Sequence, residues 1–207
     1  MVDAAHALEF MLLCGRLKAT PRTGWVNHGV RHPESIADHM HRMSLMAMIV
    51  PDQIDGQRCD RTRCAKIAMV HDLAESIVGD ITPGDVRVTK QEKEKLERDA
   101  MTRICNETLQ GSAQGQELLA LWEEYEAAST VEARVVKDLD KFDMILQAWE
   151  YEQSDARPLE LQPFFDSTKG RFTTDFVKPL VDMLNQKRQQ SAAATATSSA
   201  GSAERQT

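Results

Sequence analysis

The sequence predicts an all-α protein, and three observations carry that expectation. Strand-type alternation is nearly absent, apolar residues recur at helical spacing in several segments, and Pro/Gly punctuation separates those segments. At 207 residues the chain suits one folded domain with a real core.

The elements follow in order. A first amphipathic helix covers Ala4 to Lys18. The stretch from Thr20 to Pro33 breaks helicity with two prolines and two glycines. The next helix is expected over Glu34 to Ile49, with Pro33 at its N-terminal end and Pro51 beyond it. Its stripe is Ile36, His39, Met40, Met43 and Val50. Asp60 and Thr62 can cap a helix that carries His71 and Asp72 and ends at Gly79. There Ile67, Val70, His71, Ala74, Ile77 and Val78 form a core-facing stripe. A turn-rich loop runs from Asp80 to Asp85, and Thr89 caps a charged helix over Gln91 to Leu109. Helices over Glu117 to Ala127 and Val131 to Gln153 follow, the second striped by Val131, Val135, Leu139, Phe142, Leu146 and Trp149. From Gln189 the chain turns Ser/Ala/Thr-rich and loses large apolar residues. The expectation is a folded domain over residues 1–188 and a disordered tail over 189–207.

Composition excludes several functions. The net charge of -7 comes without a basic arm or stripe, so affinity for a nucleic-acid polymer is not expected. An anionic substrate needs local Arg, Lys or metal to overcome that overall field. Cys14, Cys59, Cys64 and Cys105 form no paired CxxC motif and read as reduced thiols. The apolar run Phe10 to Cys14 is short and flanked by charge, unlike a signal peptide or membrane span. A cytoplasmic location is expected by default.

The chemistry centres on His71-Asp72. A histidine on a buried stripe with a carboxylate beside it is costly unless something binds both groups. A divalent cation does so, because neutral imidazole and carboxylate are natural ligands for it. His39 lies on its own helical stripe, and Asp140 lies at the edge of another. Each alone reads as a satisfied core histidine or an ordinary ion pair. Together, on bundled helices, they offer two nitrogen and two oxygen ligands with positions left open, the pattern of a catalytic rather than a structural metal site.

The order H…HD…D, at His39, His71, Asp72 and Asp140, resembles the signature of the HD-domain superfamily of metal-dependent phosphohydrolases. The surrounding text is more specific: Pro33-Glu-Ser-Ile-Ala-Asp-His39, His71-Asp-Leu-Ala-Glu-Ser-Ile-Val-Gly-Asp-Ile-Thr-Pro83 and Lys137-Asp-Leu-Asp-Lys141 resemble its 5'-deoxynucleotidase branch, over roughly Leu8 to Phe176. The resemblance implies an HD-domain helical bundle, often a homodimer, that removes phosphate from deoxyribonucleoside 5'-monophosphates. It implies a divalent cation on the four signature residues; mixed N/O ligation suits Mn²⁺, Co²⁺ or Mg²⁺, with Zn²⁺ or Fe²⁺ as further candidates.

The resemblance also assigns Glu75 to the phosphate or the attacking water. It assigns Asp80 to substrate or to a second metal, with Glu75 and the Ile81 carbonyl as companions. Arg22 and Trp25 match a substrate-binding Arg-Trp element, although this chain reads Arg-Thr-Gly-Trp there, and Arg31 is an alternative phosphate clamp. Trp25 has a plainer reading as a core anchor, since large aromatics bury substantial area. Asp138 and Asp143 flank Asp140; the family's Lys-x-x-Asp spacing selects Asp140, with Asp143 as the lesser alternative. Two other functions stay open: phosphodiester or pyrophosphate hydrolysis of other nucleotides, and a non-enzymatic metal- or nucleotide-binding module.

Overall fold

The computed structural model describes residues 2–82, 88–155 and 159–203. The described residues are all-α apart from one two-stranded hairpin. Helix α1 spans Ala4–Leu17 and is capped by Asp3, whose side chain accepts from the His6 amide. A short helix, α2 (Thr23–Asn27), lies inside the stretch expected to be irregular. Helix α3 covers Ile36–Ala47, two residues later than expected. Pro33 is not its first residue because Ser35 and Asp38 close a reciprocal capping box that fixes the start.

Strands β1 (Gln53–Ile54) and β2 (Gln57–Arg58) flank Asp55 and Gly56, both at positive φ. That dipeptide is the turn chemistry of a tight hairpin. Helix α4 (Arg61–Val70) starts at Asp60, whose carboxylate accepts from the Thr62 and Arg63 amides. The continuous helix expected through Val78 does not form. The chain tightens over His71 to Ala74 into i→i−3 bonds, Leu73 N to Val70 O and Glu75 N to Asp72 O, and resumes as α5 (Glu75–Val78). No glycine or proline marks that break. Gly79 ends α5 at φ 75° and ψ 174°, a conformation essentially confined to glycine. Gly79→Ala is therefore expected to lower stability by about 1–3 kcal/mol, read by chemical denaturation.

Thr89 and Glu92 form a second capping box for α6 (Lys90–Arg103), which ends in a π-helical turn over Ile104–Thr108. Ser112 caps α7 (Ala113–Ala127), and Thr130 caps α8 (Val131–Ser154). Two further helices, α9 (Gln162–Thr168) and α10 (Val177–Ala203), complete the described chain. Helix α10 runs past Gln189, where large apolar residues cease. Alanine-rich sequence carries helix propensity. The turn expected through Asp85 lies partly outside the described residues, beyond Thr82.

The core is continuous. α3 packs on α4 and α8, and α4 also packs on α7 and α8. Met43, Ile67, Leu139 and Ile145 of these helices are fully enclosed, as are Met101 of α6 and Ile104 of the π-helical turn. In α8, Val131, Val135, Leu139 and Phe142 are buried as their spacing predicts, whereas Leu146 and Trp149 are half-buried. Buried Arg188 of α10 donates from Nε and Nη2 to buried Glu152 of α8, at 2.7 and 2.8 Å, while its Nη1 reaches Gln162 of α9. Glu152→Ala leaves that guanidinium buried and unpaired. The expected loss is about 3–5 kcal/mol, measured as a shift of the denaturant midpoint. No described helix is long and apolar enough to cross a membrane.

Candidate active site

Five elements converge on one place. α3 supplies His39, the C-terminal end of α4 supplies His71, and the tightened turn supplies Asp72. α5 supplies Glu75 at its first position, and α8 supplies Asp140. The two histidines are buried, while Asp72 and Asp140 are partly open. Both carboxylates line a cavity of about 750 Å³, together with Arg22, Glu75, Asp80, Ile81, Lys93 and Lys141.

His39 Nε2 lies 3.3 Å from Asp140 Oδ1 and 3.7 Å from Asp72 Oδ2 without a hydrogen bond. His71 Nε2 lies 3.1 Å from Asp72 Oδ2 and is also left without one. The Nδ1 of His71 is 2.9 Å from the Ala68 carbonyl oxygen, which can only accept, so that nitrogen carries the proton and Nε2 keeps its lone pair. Two buried imidazole nitrogens therefore face two carboxylates with no partner of their own, an arrangement proteins otherwise avoid. One donor atom each from His39, His71 and Asp140 lie within 4.8 Å of one another. Mixed N/O donors at this spacing fit a divalent cation.

The electrostatics point the same way. Burial opposes ionisation of Asp72, but the neighbouring His71, His39 and Arg22 bring its pKa down to about 2. Burial likewise opposes ionisation of Asp140, and the two histidines and Arg22 hold its pKa well below the carboxylate range. For His39, burial and the Arg22 charge disfavour a proton, yet Asp140 and Asp143 override them and push its pKa up to about 9. In the absence of a cation the cluster attracts a positive charge. Glu75 behaves differently: burial first, then the charges of Asp72 and Asp80, raise its pKa well above the ordinary range. Its Oε2 is buried with no partner.

The remaining expected residues are placed as follows. Arg22 precedes α2 and reaches Asp72 Oδ2 at 3.5 Å. Asp80 Oδ2 accepts from the Thr23 amide at 2.6 Å, and the Thr23 hydroxyl donates to the Asp80 carbonyl at 2.8 Å. This clasp ties the Arg22 segment to the loop after Gly79. The Ile81 carbonyl accepts from Lys93 Nζ at 2.7 Å. Trp25 borders the cavity but is only 1% exposed. Its Nε1 donates to Glu34, and its ring packs against Phe164 and Tyr151. That is the core-anchor reading. Arg31 is three-quarters exposed, pairs with Asp155 and does not border the cavity, so it is no clamp for this site.

Sequence reasoning missed four contributors. Tyr125 donates its hydroxyl to Asp140 Oδ2 at 2.8 Å. Asp143, the lesser alternative to Asp140, contacts His39, and Arg42 supports it. Lys93 comes from α6, whose charge alternation reads as a solvated face. Asp143 offered one signal, since it lies one turn from Leu139 on a buried stripe; Tyr125 and Lys93 offered none. Asp138 does not face the cluster: its Oδ2 accepts from Thr173 and Thr174 and anchors that loop.

The chain belongs to the HD-domain family, whose model, described as HD domain, matches residues 14–197. Among its relatives, the 5'-deoxynucleotidase HDDC2 of Dictyostelium discoideum is 49% identical over 191 residues, covering 89% of this chain and 99% of that protein. The 5'-deoxynucleotidase HDDC2 of Homo sapiens is 46% identical over 196 residues, covering 93% of this chain and 91% of that protein. Among solved structures, the PH0347 protein from Pyrococcus horikoshii OT3 superposes with a TM-score of 0.70 at 34% identity, over 88% of this chain and 98% of that one.

Proposed function

We propose that this protein is a metal-dependent 5'-deoxynucleotidase that hydrolyses deoxyribonucleoside 5'-monophosphates to deoxynucleoside and phosphate. One observation carries the hydrolytic reading. The unpartnered, buried carboxyl of Glu75 borders the same cavity as Asp72 and Asp140, where the two orphaned imidazoles converge. The substrate class rests on the relatives, which are named for this activity and align over nearly the whole chain.

His39, His71, Asp72 and Asp140 would hold the cation, with Mn²⁺, Co²⁺ or Mg²⁺ the leading candidates. When bound, a divalent cation polarises a phosphoryl oxygen and lowers the pKa of water from about 15.7 toward roughly 7. The protein groups do the rest. Glu75, its proton affinity raised by burial, takes a proton from the attacking water and returns it to the leaving 5'-oxygen, as general acid–base chemistry requires. Arg22 offsets charge on the equatorial phosphate oxygens. Asp80, held by Thr23, presents its remaining oxygen toward a sugar hydroxyl. Trp25 backs the cavity wall.

The test for Arg22 is Arg22→Met. Losing a charge-assisted hydrogen bond is worth about 1.5–3 kcal/mol, so kcat/KM is expected to fall roughly ten- to hundredfold while bound metal stays constant. Unchanged kinetics would remove Arg22 from the site. Homodimerisation, a cytoplasmic location and a functional domain that ends near Arg188 belong to the same proposal. Deleting residues 190–207 is expected to leave phosphate release unchanged. Hydrolysis of cyclic or diester nucleotides alone would replace the monophosphatase with the phosphodiesterase reading.

A further inference from the structure

We propose that Asp143 is a positioning residue that sets the tautomer of His39 and thereby makes it a metal ligand. The inference rests on the proposed cation site, and it concerns the far side of the imidazole, away from the cavity.

His39 and Asp143 are both fully buried, one on α3 and the other on α8. His39 Nδ1 lies 2.7 Å from Asp143 Oδ2. The other carboxylate oxygen, Oδ1, accepts from Arg42 Nε at 2.5 Å. Arg42 is itself fixed, since Nη1 donates to Glu150 at 2.6 Å and Nη2 to the Asp143 carbonyl at 3.4 Å. A carboxylate only accepts, so its partner Nδ1 must carry the proton. In the neutral ring that a cation requires, the Nε2 lone pair is then directed at Asp72 and Asp140. Metal-binding histidines are oriented in this way by a carboxylate on the other ring nitrogen.

The Arg42 contact makes the idea sharper than a general supporting role. In Asp143→Asn the amide has one oxygen and one NH₂. Arg42 Nε can only donate, so it claims the amide oxygen, and the NH₂ turns toward His39 Nδ1. Nδ1 becomes an acceptor, the proton moves to Nε2, and the ligand atom is blocked. Asp143→Ala places no donor against Nδ1 and leaves both tautomers accessible. A side chain that merely filled space would give the opposite ranking, because asparagine keeps the shape and alanine leaves a hole.

The experiment measures Mn²⁺ affinity by calorimetry on the full chain, with the melting temperature of the metal-free protein recorded for each variant. Asp143→Asn is expected to bind Mn²⁺ about 10–100-fold more weakly than the wild type. Asp143→Ala is expected to bind more tightly than Asp143→Asn despite melting lower. Adding Arg42→Met to Asp143→Asn frees the amide to turn, and is expected to recover part of the affinity. Asparagine binding as tightly as aspartate, or alanine binding more weakly than asparagine, would overturn the proposal. Failure of the wild type to bind Mn²⁺, Co²⁺ or Mg²⁺ would instead overturn the cation site itself.

Discussion

Glu75→Gln is expected to bind metal as the wild type does and to lose about 10²–10⁴-fold in kcat, the usual contribution of a positioned general acid–base group. The side chain keeps its volume and loses only its ability to exchange a proton. The tightened turn places Glu75 at the first position of α5, where burial raises its proton affinity and Oε2 meets no protein partner. A structural carboxylate in so enclosed a position would be paired. This one faces the cavity instead, which is the position a proton carrier needs. Metal content measured on the same sample separates a chemical defect from a lost cofactor. Wild-type turnover in Glu75→Gln would show that another group moves the proton.

His71→Ala is expected to abolish both metal retention and turnover. His71 contributes one of the two buried imidazole nitrogens that lack a partner among the described residues, and its proton is fixed on Nδ1 by the Ala68 carbonyl. Removing it leaves His39 Nε2 among carboxylates with one fewer neutral donor. The effect has a thermodynamic readout independent of catalysis. At Mn²⁺ a hundredfold above Kd, the wild type gains about 2.7 kcal/mol of stability by mass action, whereas His71→Ala gains almost none. Equal metal-dependent stabilisation of the two proteins would place the cation elsewhere.

The contrast between these residues shows what the sequence could reveal. The convergence of His39, His71 and Asp140 was legible because each sits on or beside an apolar stripe, where a polar residue demands a reason. The helices themselves were legible from caps such as Asp60 and Thr89 and from the stripe of α8. The break at His71 to Ala74 was not, because no glycine or proline marks it and the apolar spacing runs through it unbroken. Arg31 was a reasonable cation by proximity in sequence, yet the turn before α3 sends it to Asp155. Tyr125 and Asp143 act through contacts between helices, so periodicity along one helix could not name their partners.

The most direct test of the central claim is phosphate release from a panel of deoxyribonucleoside 5'-monophosphates by the purified protein, loaded in turn with Mn²⁺, Co²⁺ and Mg²⁺. The site geometry and the family predict metal-dependent release of one phosphate per nucleotide, abolished by chelation and by His71→Ala. No phosphate release with any of the three metals, from a folded protein that binds them, would contradict it.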